Sequence, residues 1–190
     1  DLVIARYDNS HSYKHSMFGR IATADRNDGE LFVAPQTLRA LYNMSDTPFT
    51  HGASIGPVEF QNDNAVTEQD TTLFIDEAGV AHVHTPVVFE HVVGPYYNSS
   101  SDVEAALDVD VQIGLTPNAT RWYWTEQEWM LDFATELFNR PEPVPEVLTI
   151  SWGWAESKQC DIDPACGNTT SEAYARRVNN EFLKIAARGI

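Results

Sequence analysis

Short β-branched runs and helical stretches alternate through most of this sequence, and that alternation constrains its fold more than any other feature. Ser54 to Phe60 (SIGPVEF), His82 to Val93, Ala119 to Trp124 (ATRWYW) and Glu146 to Trp152 (EVLTISW) read as strands. Helices are predicted over Ala34–Tyr42, Asp70–Glu77, Ser101–Gly114, Thr125–Asn139 and Ser171–Arg188. Their stops and starts have local causes. Pro35 stands one step into the first, Gly79 follows the second, Thr125…Glu128 is a capping box, and Gly189 follows the last. Strands separated by helices of this length predict an α/β fold with a doubly wound parallel sheet. EVLTISW is almost continuously apolar and predicts a strand buried on both faces.

Asp1 to Glu30 is polar and weakly patterned, which predicts an arm or covering segment, with the folded unit running over 31–190. The last helix leads into Gly189 and Ile190, where a returning parallel strand is expected, so the sheet is expected to be incomplete in this chain.

Charge narrows the partners. Lys and Arg number 12 against 28 Asp and Glu, a net charge of −16, and no Lys or Arg occurs between Arg39 and Arg121. Such a surface repels phosphate backbones and anionic lipid, so neither nucleic acid nor membrane is an expected partner. No apolar run approaches the ~20 residues that span a bilayer. At 43% hydrophobic residues, the chain is too apolar for a disordered acidic tail.

The chain starts at Asp1 without an initiator Met, which reads as a processed product. Asn-x-Ser/Thr sequons at Asn43, Asn98, Asn118 and Asn168 lean towards the secretory route and are the candidate glycosylation sites. Cys160 and Cys166 are the only cysteines, and Asp, Pro and Ala residues lie between them. An even count in an oxidising compartment predicts a disulfide closing a short loop. A metal site would need further ligands, and no His lies in that loop. A secreted or lysosome-like acidic compartment is expected.

SSDVEAALDVDVQIG places Glu104 and Asp108 four apart, hence on one helical face. Two readings stay open on the residues alone. Ser101-x-x-Glu104 fits a capping box, and Asp108 fits a solvated acid. Against this, Val103, Ala105, Ala106, Leu107 and Val109 make much of the helix apolar, and no basic neighbour is at hand. Two adjoining carboxyls in that setting share a proton, which suits a base that works in acid.

Other constellations favour ordinary roles. His82 and His84, with Glu90 and His91 nearby, do not supply tetrahedral zinc spacing. Trp122, Tyr123, Trp124 and Trp129 fit core packing better than a sugar or peptide platform. Arg176, Arg177, Lys184 and Arg188 read as a solvated face with favourable charge at the helix end.

EAALDVDVQIGLTPNA resembles the helix of the sedolisins, or serine-carboxyl peptidases, which carries a Glu-x-x-x-Asp pair. VLTISWGWAES resembles the family's strand ending in Ser-Trp-Gly. AYARRVNNEFLKIAARGI is similar to the helix that follows it, particularly in the tripeptidyl-peptidase branch. LFVAPQTLRALYNM resembles the start of the mature catalytic domain, and GPVEFQN its first core strand. These matches run in order from about Leu31 to Ile190.

The resemblance implies a subtilisin-like fold and endopeptidase or tripeptidyl-peptidase activity in acid. It implies Glu104 as general base towards a serine hydroxyl and Asp108 as its hydrogen-bonded partner. Glu59 and Trp152 would extend that network, as in the kumamolisin branch. Ser151, Trp152 and Gly153 would bind substrate main chain.

The family's Ser-Gly-Thr-Ser nucleophile segment and Ser-Gly-Asp oxyanion segment do not occur in this sequence. No serine here is therefore assigned as nucleophile. The chain resembles the N-terminal half of a catalytic domain, and the expected partner is a complementary C-terminal chain that carries the serine. No cofactor is expected in this chain, and calcium is expected in the complementary one. The competing reading is a secreted inactive homologue or a peptide- or glycan-binding module built on the aromatic cluster.

Overall fold

The computed structural model describes residues 33–44, 52–80, 83, 89–163 and 166–190. The expected arm over 1–30 lies outside these residues, as do His82 and His84. Four strands pair in parallel in the order β2-β3-β1-β4, with β1 Ser54–Glu59, β2 His91–Val93, β3 Thr120–Thr125 and β4 Val147–Thr149. The helices are α1 Pro35–Leu41, α2 Glu68–Glu77, α3 Val103–Leu115, α4 Met130–Asn139, α5 Gln159–Ile162 and α6 Ser171–Arg188. The predicted α/β class is correct, and the four-stranded parallel sheet is consistent with part of a subtilisin-like fold.

Strand alternation sorts the core into two layers. Val58 and Phe60 of the β1 segment and Trp122 and Trp124 of β3 join Phe133, Leu137, Tyr174, Val178 and Ile185 from α4 and α6. Tyr123, between the two tryptophans, joins Phe74 and Ile75 of α2 and Ala105, Val109 and Ile113 of α3 on the opposite face. Gly56 permits this close pairing, because a Cβ there would lie 2.6 Å from the Trp122 Cβ. The aromatic cluster is core: Trp122, Tyr123, Trp124 and Trp129 are all buried. A ligand platform built on it is ruled out by that burial.

α6 starts and ends where its pattern predicts. Thr170 Oγ1 accepts the N–H of Ala173 at 3.2 Å, and Gly189 takes the left-handed conformation at φ +90°. Arg188 of α6 donates from Nη1 to the carbonyls of Leu137 and Phe138, so it caps the end of α4 rather than facing solvent alone.

Three local expectations need correction. Both predicted capping boxes are absent, because tertiary partners take the hydroxyls. Ser101 Oγ accepts the Thr67 N–H at 3.0 Å, and Asp102 is the N-cap of α3. Thr125 ends β3 and donates from Oγ1 to the Pro95 carbonyl at 2.7 Å, so α4 begins only at Met130. The third concerns β4. It spans three residues and, among the described residues, pairs with β1 alone, leaving Val147 49% exposed at the sheet edge. An apolar run reports affinity for burial but not which side of a strand has a neighbour.

Candidate active site

β1 lies between β3 and β4, so the strand order reverses about it. Crevices that bind ligands in open α/β sheets form at such a switch point, outside the carboxyl ends of the strands. The carboxyl end of β1 is Glu59. Its neighbours Val58 and Phe60 face α4 and α6, so the pleat turns Glu59 towards α3. The side chain is 1% exposed. Its Oε2 accepts the indole N–H of Trp152 at 2.9 Å, while Oε1 is buried without a hydrogen-bond partner among the described residues.

Helix α3 brings two more carboxyls to this point. Ala105, Val109 and Ile113 fix its buried stripe, which leaves Glu104 and Asp108 half-buried beside it. Asp108 Oδ1 accepts the Ser151 hydroxyl at 2.9 Å, and its Oδ2 is buried without a hydrogen-bond partner among the described residues. Glu104 and Asp108 share no hydrogen bond; the resemblance predicted one, but Asp108 leans across to the segment after β4. Their interaction is electrostatic, since the Asp108 charge adds to burial in raising Glu104.

All three groups hold protons more tightly than ordinary carboxyls. Burial pushes Glu59 up to about 8 against the pull of the Trp152 hydrogen bond, with Asp108, Asp63 and Glu104 adding to the rise. Burial also raises Asp108, opposed by the Ser151 hydroxyl. No cation answers this charge from the sequence between Arg39 and Arg121. Arg39 bonds the Leu115 carbonyl at the far end of α3, about 18 Å along a helix of this length, and Arg121 bonds Glu90.

The segment after Thr149 completes the site. After β4, Ser151 and Trp152 bond Asp108 and Glu59, so one short segment holds both carboxyls. Gly153 has open space where a Cβ would stand and no left-handed backbone that would call for glycine. Cys160 and Cys166 form the predicted disulfide, with Cα atoms 5.4 Å apart.

Several participants had no local signal. Gln159 is buried, accepts the Trp129 indole N–H at 2.8 Å and donates to the Trp154 carbonyl at 2.8 Å, which pins the loop after Gly153 to the core. Asp63 and Asp102 come together from distant parts of the chain beside Glu104. Asp110 is buried between α3 and α2 against Thr71. For the three acids the basic-free interval was the one hint, and Gln159 lies outside it.

Asn43, Asn98 and Asn168 are exposed, and Asn118 is half-buried in the turn before β3. His91 stacks on Trp122 at 4.1 Å between ring centroids. Among the described residues no group of three or more His, Cys, Asp or Glu is arranged to hold a metal ion, and no helix is long and apolar enough to cross a membrane.

No protein-family model matches the chain. It is similar to physarolisin of Physarum polycephalum, 40% identical over 159 residues that cover 83% of this chain and 27% of that protein. It is also similar to tripeptidyl-peptidase 1 of Rattus norvegicus, 28% identical over 174 residues, covering 84% of this chain and 28% of that protein. For tripeptidyl-peptidase 1 of Dictyostelium discoideum the values are 27% over 180 residues, 87% and 26%. The chain thus spans about a quarter of the length of these curated relatives.

Proposed function

Over the 159 residues it shares with physarolisin the chain belongs to the sedolisin family, and on that premise we propose that the protein is an acid-acting serine-carboxyl peptidase. This chain supplies the proton-transfer carboxyls. The observation that carries the reading is the joining of Glu104, Asp108 and Glu59 at the carboxyl end of β1, with no cation beside them among the described residues and with raised proton affinities. A complementary chain supplies the serine nucleophile and the oxyanion group.

In this reading Glu104 takes the proton of the serine hydroxyl as its oxygen attacks the peptide carbonyl carbon. The same proton passes to the leaving amine as the C–N bond breaks, and water repeats the cycle to release the acyl group. Asp108 raises Glu104, which makes it a stronger base than an ordinary Glu in the acid range. Glu59 Oε1 and Asp108 Oδ2 are buried and have no hydrogen-bond partner among the described residues, which favours the protonated form of each carboxyl. The open space at Gly153 supports Ser151–Gly153 as the edge that takes substrate main chain, by β-augmentation.

Either endopeptidase or tripeptidyl-peptidase action fits this site. In this reading the calcium implied by the resemblance belongs to the complementary chain. Exposed sequons at Asn43, Asn98 and Asn168, with the disulfide, support glycosylation and a secreted or lysosome-like setting.

The test is to incubate the native preparation with a denatured protein in acid, with and without a serine-reactive peptide aldehyde. Aldehyde-sensitive hydrolysis, together with a co-purifying polypeptide that carries Ser-Gly-Thr-Ser, is the expected result. Absence of hydrolysis overturns the activity. Hydrolysis by a preparation whose mass spectrum contains only this 21.3 kDa polypeptide and its glycans overturns the two-chain assignment.

A further inference from the structure

The segment leaving β1 turns back on itself within four residues. Phe60 O accepts the Asp63 N–H at 3.0 Å, while Gln61 and Asn62 adopt φ +56° and +65°, a conformation disfavoured for residues other than glycine. Such a turn persists where its surroundings hold it. The next residues are tied to the start of α3: Asp102 Oδ2 accepts both the Asn64 and the Ala65 N–H at 3.0 Å, and the Asp102 N–H donates to the Ala65 carbonyl at 2.8 Å.

Asp102 is the N-cap residue of α3, yet its side chain makes no hydrogen bond to its own helix. Asp63 does so instead, accepting the Ala105 N–H in the first turn, and it hydrogen-bonds the Asp102 carboxyl as well. Two carboxyls joined in this way require a proton between them. Glu104 lies in the chain between the two α3-side anchor points, Asp102 and Ala105. Glu59 lies four residues before Asp63, at the other end of the same turn.

We propose that Asp63 and Asp102 form a proton-sharing clasp that positions Glu104 against Glu59 and opens as the pH rises towards neutrality. The proposal rests on the peptidase reading above for its effect on activity, but not for its effect on the carboxyls. Asp63 is a positioning residue: it acts through the first turn of α3. Burial and the adjoining Asp102 push it up to about 7, so it keeps the proton in acid. Among the described residues, the titratable groups facing it are Asp102 and Glu104 from α3 and its approach, Glu59 from β1 and Tyr123 from β3, whose hydroxyl donates to the Asp63 carbonyl. None is basic. Once the proton is lost, nothing among these groups offsets the repulsion between the two carboxylates.

Asp63→Asn separates the proton from the geometry. Its amide still accepts from Ala105 and donates to Asp102, without a shared proton. In the full native enzyme, Asp63→Asn is expected to keep kcat/KM in acid within about threefold of wild type. Its alkaline limb is expected to move up, by about one pH unit. Asp63→Ala is expected to lose about 10- to 100-fold at every pH. An unshifted limb in Asp63→Asn, or a loss equal to that of Asp63→Ala, overturns the proposal.

Infrared spectroscopy supplies a readout that does not need activity. A protonated-carboxyl band present in wild type at pH 5 is expected to be missing from Asp63→Asn. An unchanged set of such bands overturns the clasp even in an active enzyme. If wild type proves inactive but the band is lost, the peptidase reading fails and the proton-sharing pair stands without its catalytic consequence.

Discussion

The Trp152 indole donates a 2.9 Å hydrogen bond to Glu59 Oε2 across 93 positions of sequence, joining the segment after β4 to the carboxyl end of β1. One residue earlier, Ser151 makes the matching bond to Asp108, so the two acids are held in register by adjacent side chains. The indole bond favours the charged form of Glu59, while burial opposes it and dominates. Glu59 therefore remains protonated in acid, and this bond orients it.

Trp152→Phe keeps the aromatic packing on Phe60 but removes the donor. It leaves Glu59 Oε2 buried and without this bond, at a cost of about 1–3 kcal/mol. Thermal unfolding at pH 5 measures that loss. Peptidase kcat is expected to fall with it, because Glu59 no longer holds one orientation.

Glu104→Gln and Asp108→Asn separate base from partner. Glu104→Gln is expected to lower kcat by at least about 10²- to 10⁴-fold with KM little changed, since it removes proton transfer rather than binding. Asp108→Asn is expected to be milder in rate and to lower the kinetic pKa of Glu104, because a raising charge is gone. Steady-state profiles against pH distinguish the two. Near-normal turnover in Glu104→Gln would refute its assignment as base.

Stability is expected to fall from acid to neutral pH. Burial pushes Asp110 and Asp63 up to about 7 and Glu59 to about 8, from ordinary values of 3.8 and 4.5. The folded state binds more protons than the unfolded state between those limits. The contribution of these groups is therefore complete below about pH 4 and is lost as pH rises through 7 and 8. Asp110→Asn is expected to remove part of this slope and to stabilise the protein at pH 8 by on the order of 3 kcal/mol. Unfolding midpoints at pH 5 and pH 8 check both statements; a midpoint that rises with pH contradicts them.

The disulfide is expected to act on substrate binding as well as stability. It closes a six-residue separation next to Gln159, which holds the Trp154 carbonyl. Replacing both cysteines by serine is expected to cost about 2 kcal/mol by the loop-entropy argument. It should also raise KM more than it lowers kcat, because the support for Ser151–Gly153 loosens while Glu104 is untouched. Denaturant titration and steady-state kinetics provide the two measurements.

Local patterns were legible where no distant group competed. The α6 span and its Gly189 stop follow from Thr170, the apolar spacing and the missing Cβ. β1 and β3 were readable from their β-branched and aromatic runs. The capping boxes at Ser101 and Thr125 failed because Thr67 and the Pro95 carbonyl offered those hydroxyls tertiary partners. The edge position of β4 failed for a related reason: hydrophobicity does not count neighbours.

By itself the sequence determined that Glu104 and Asp108 lie on one face, because helical periodicity places residues four apart within a turn of each other. It also determined that this helix has no basic residue nearby to neutralise the pair. Only the tertiary structure decided that Glu59 points at them, through the pleat of β1 and its central place in the sheet, and that Asp63 meets Asp102. Proton affinity depends on how much water a carboxyl loses and which charges surround it. Those conditions are set when separate segments pack together, so the chemistry of this site is a property of the fold.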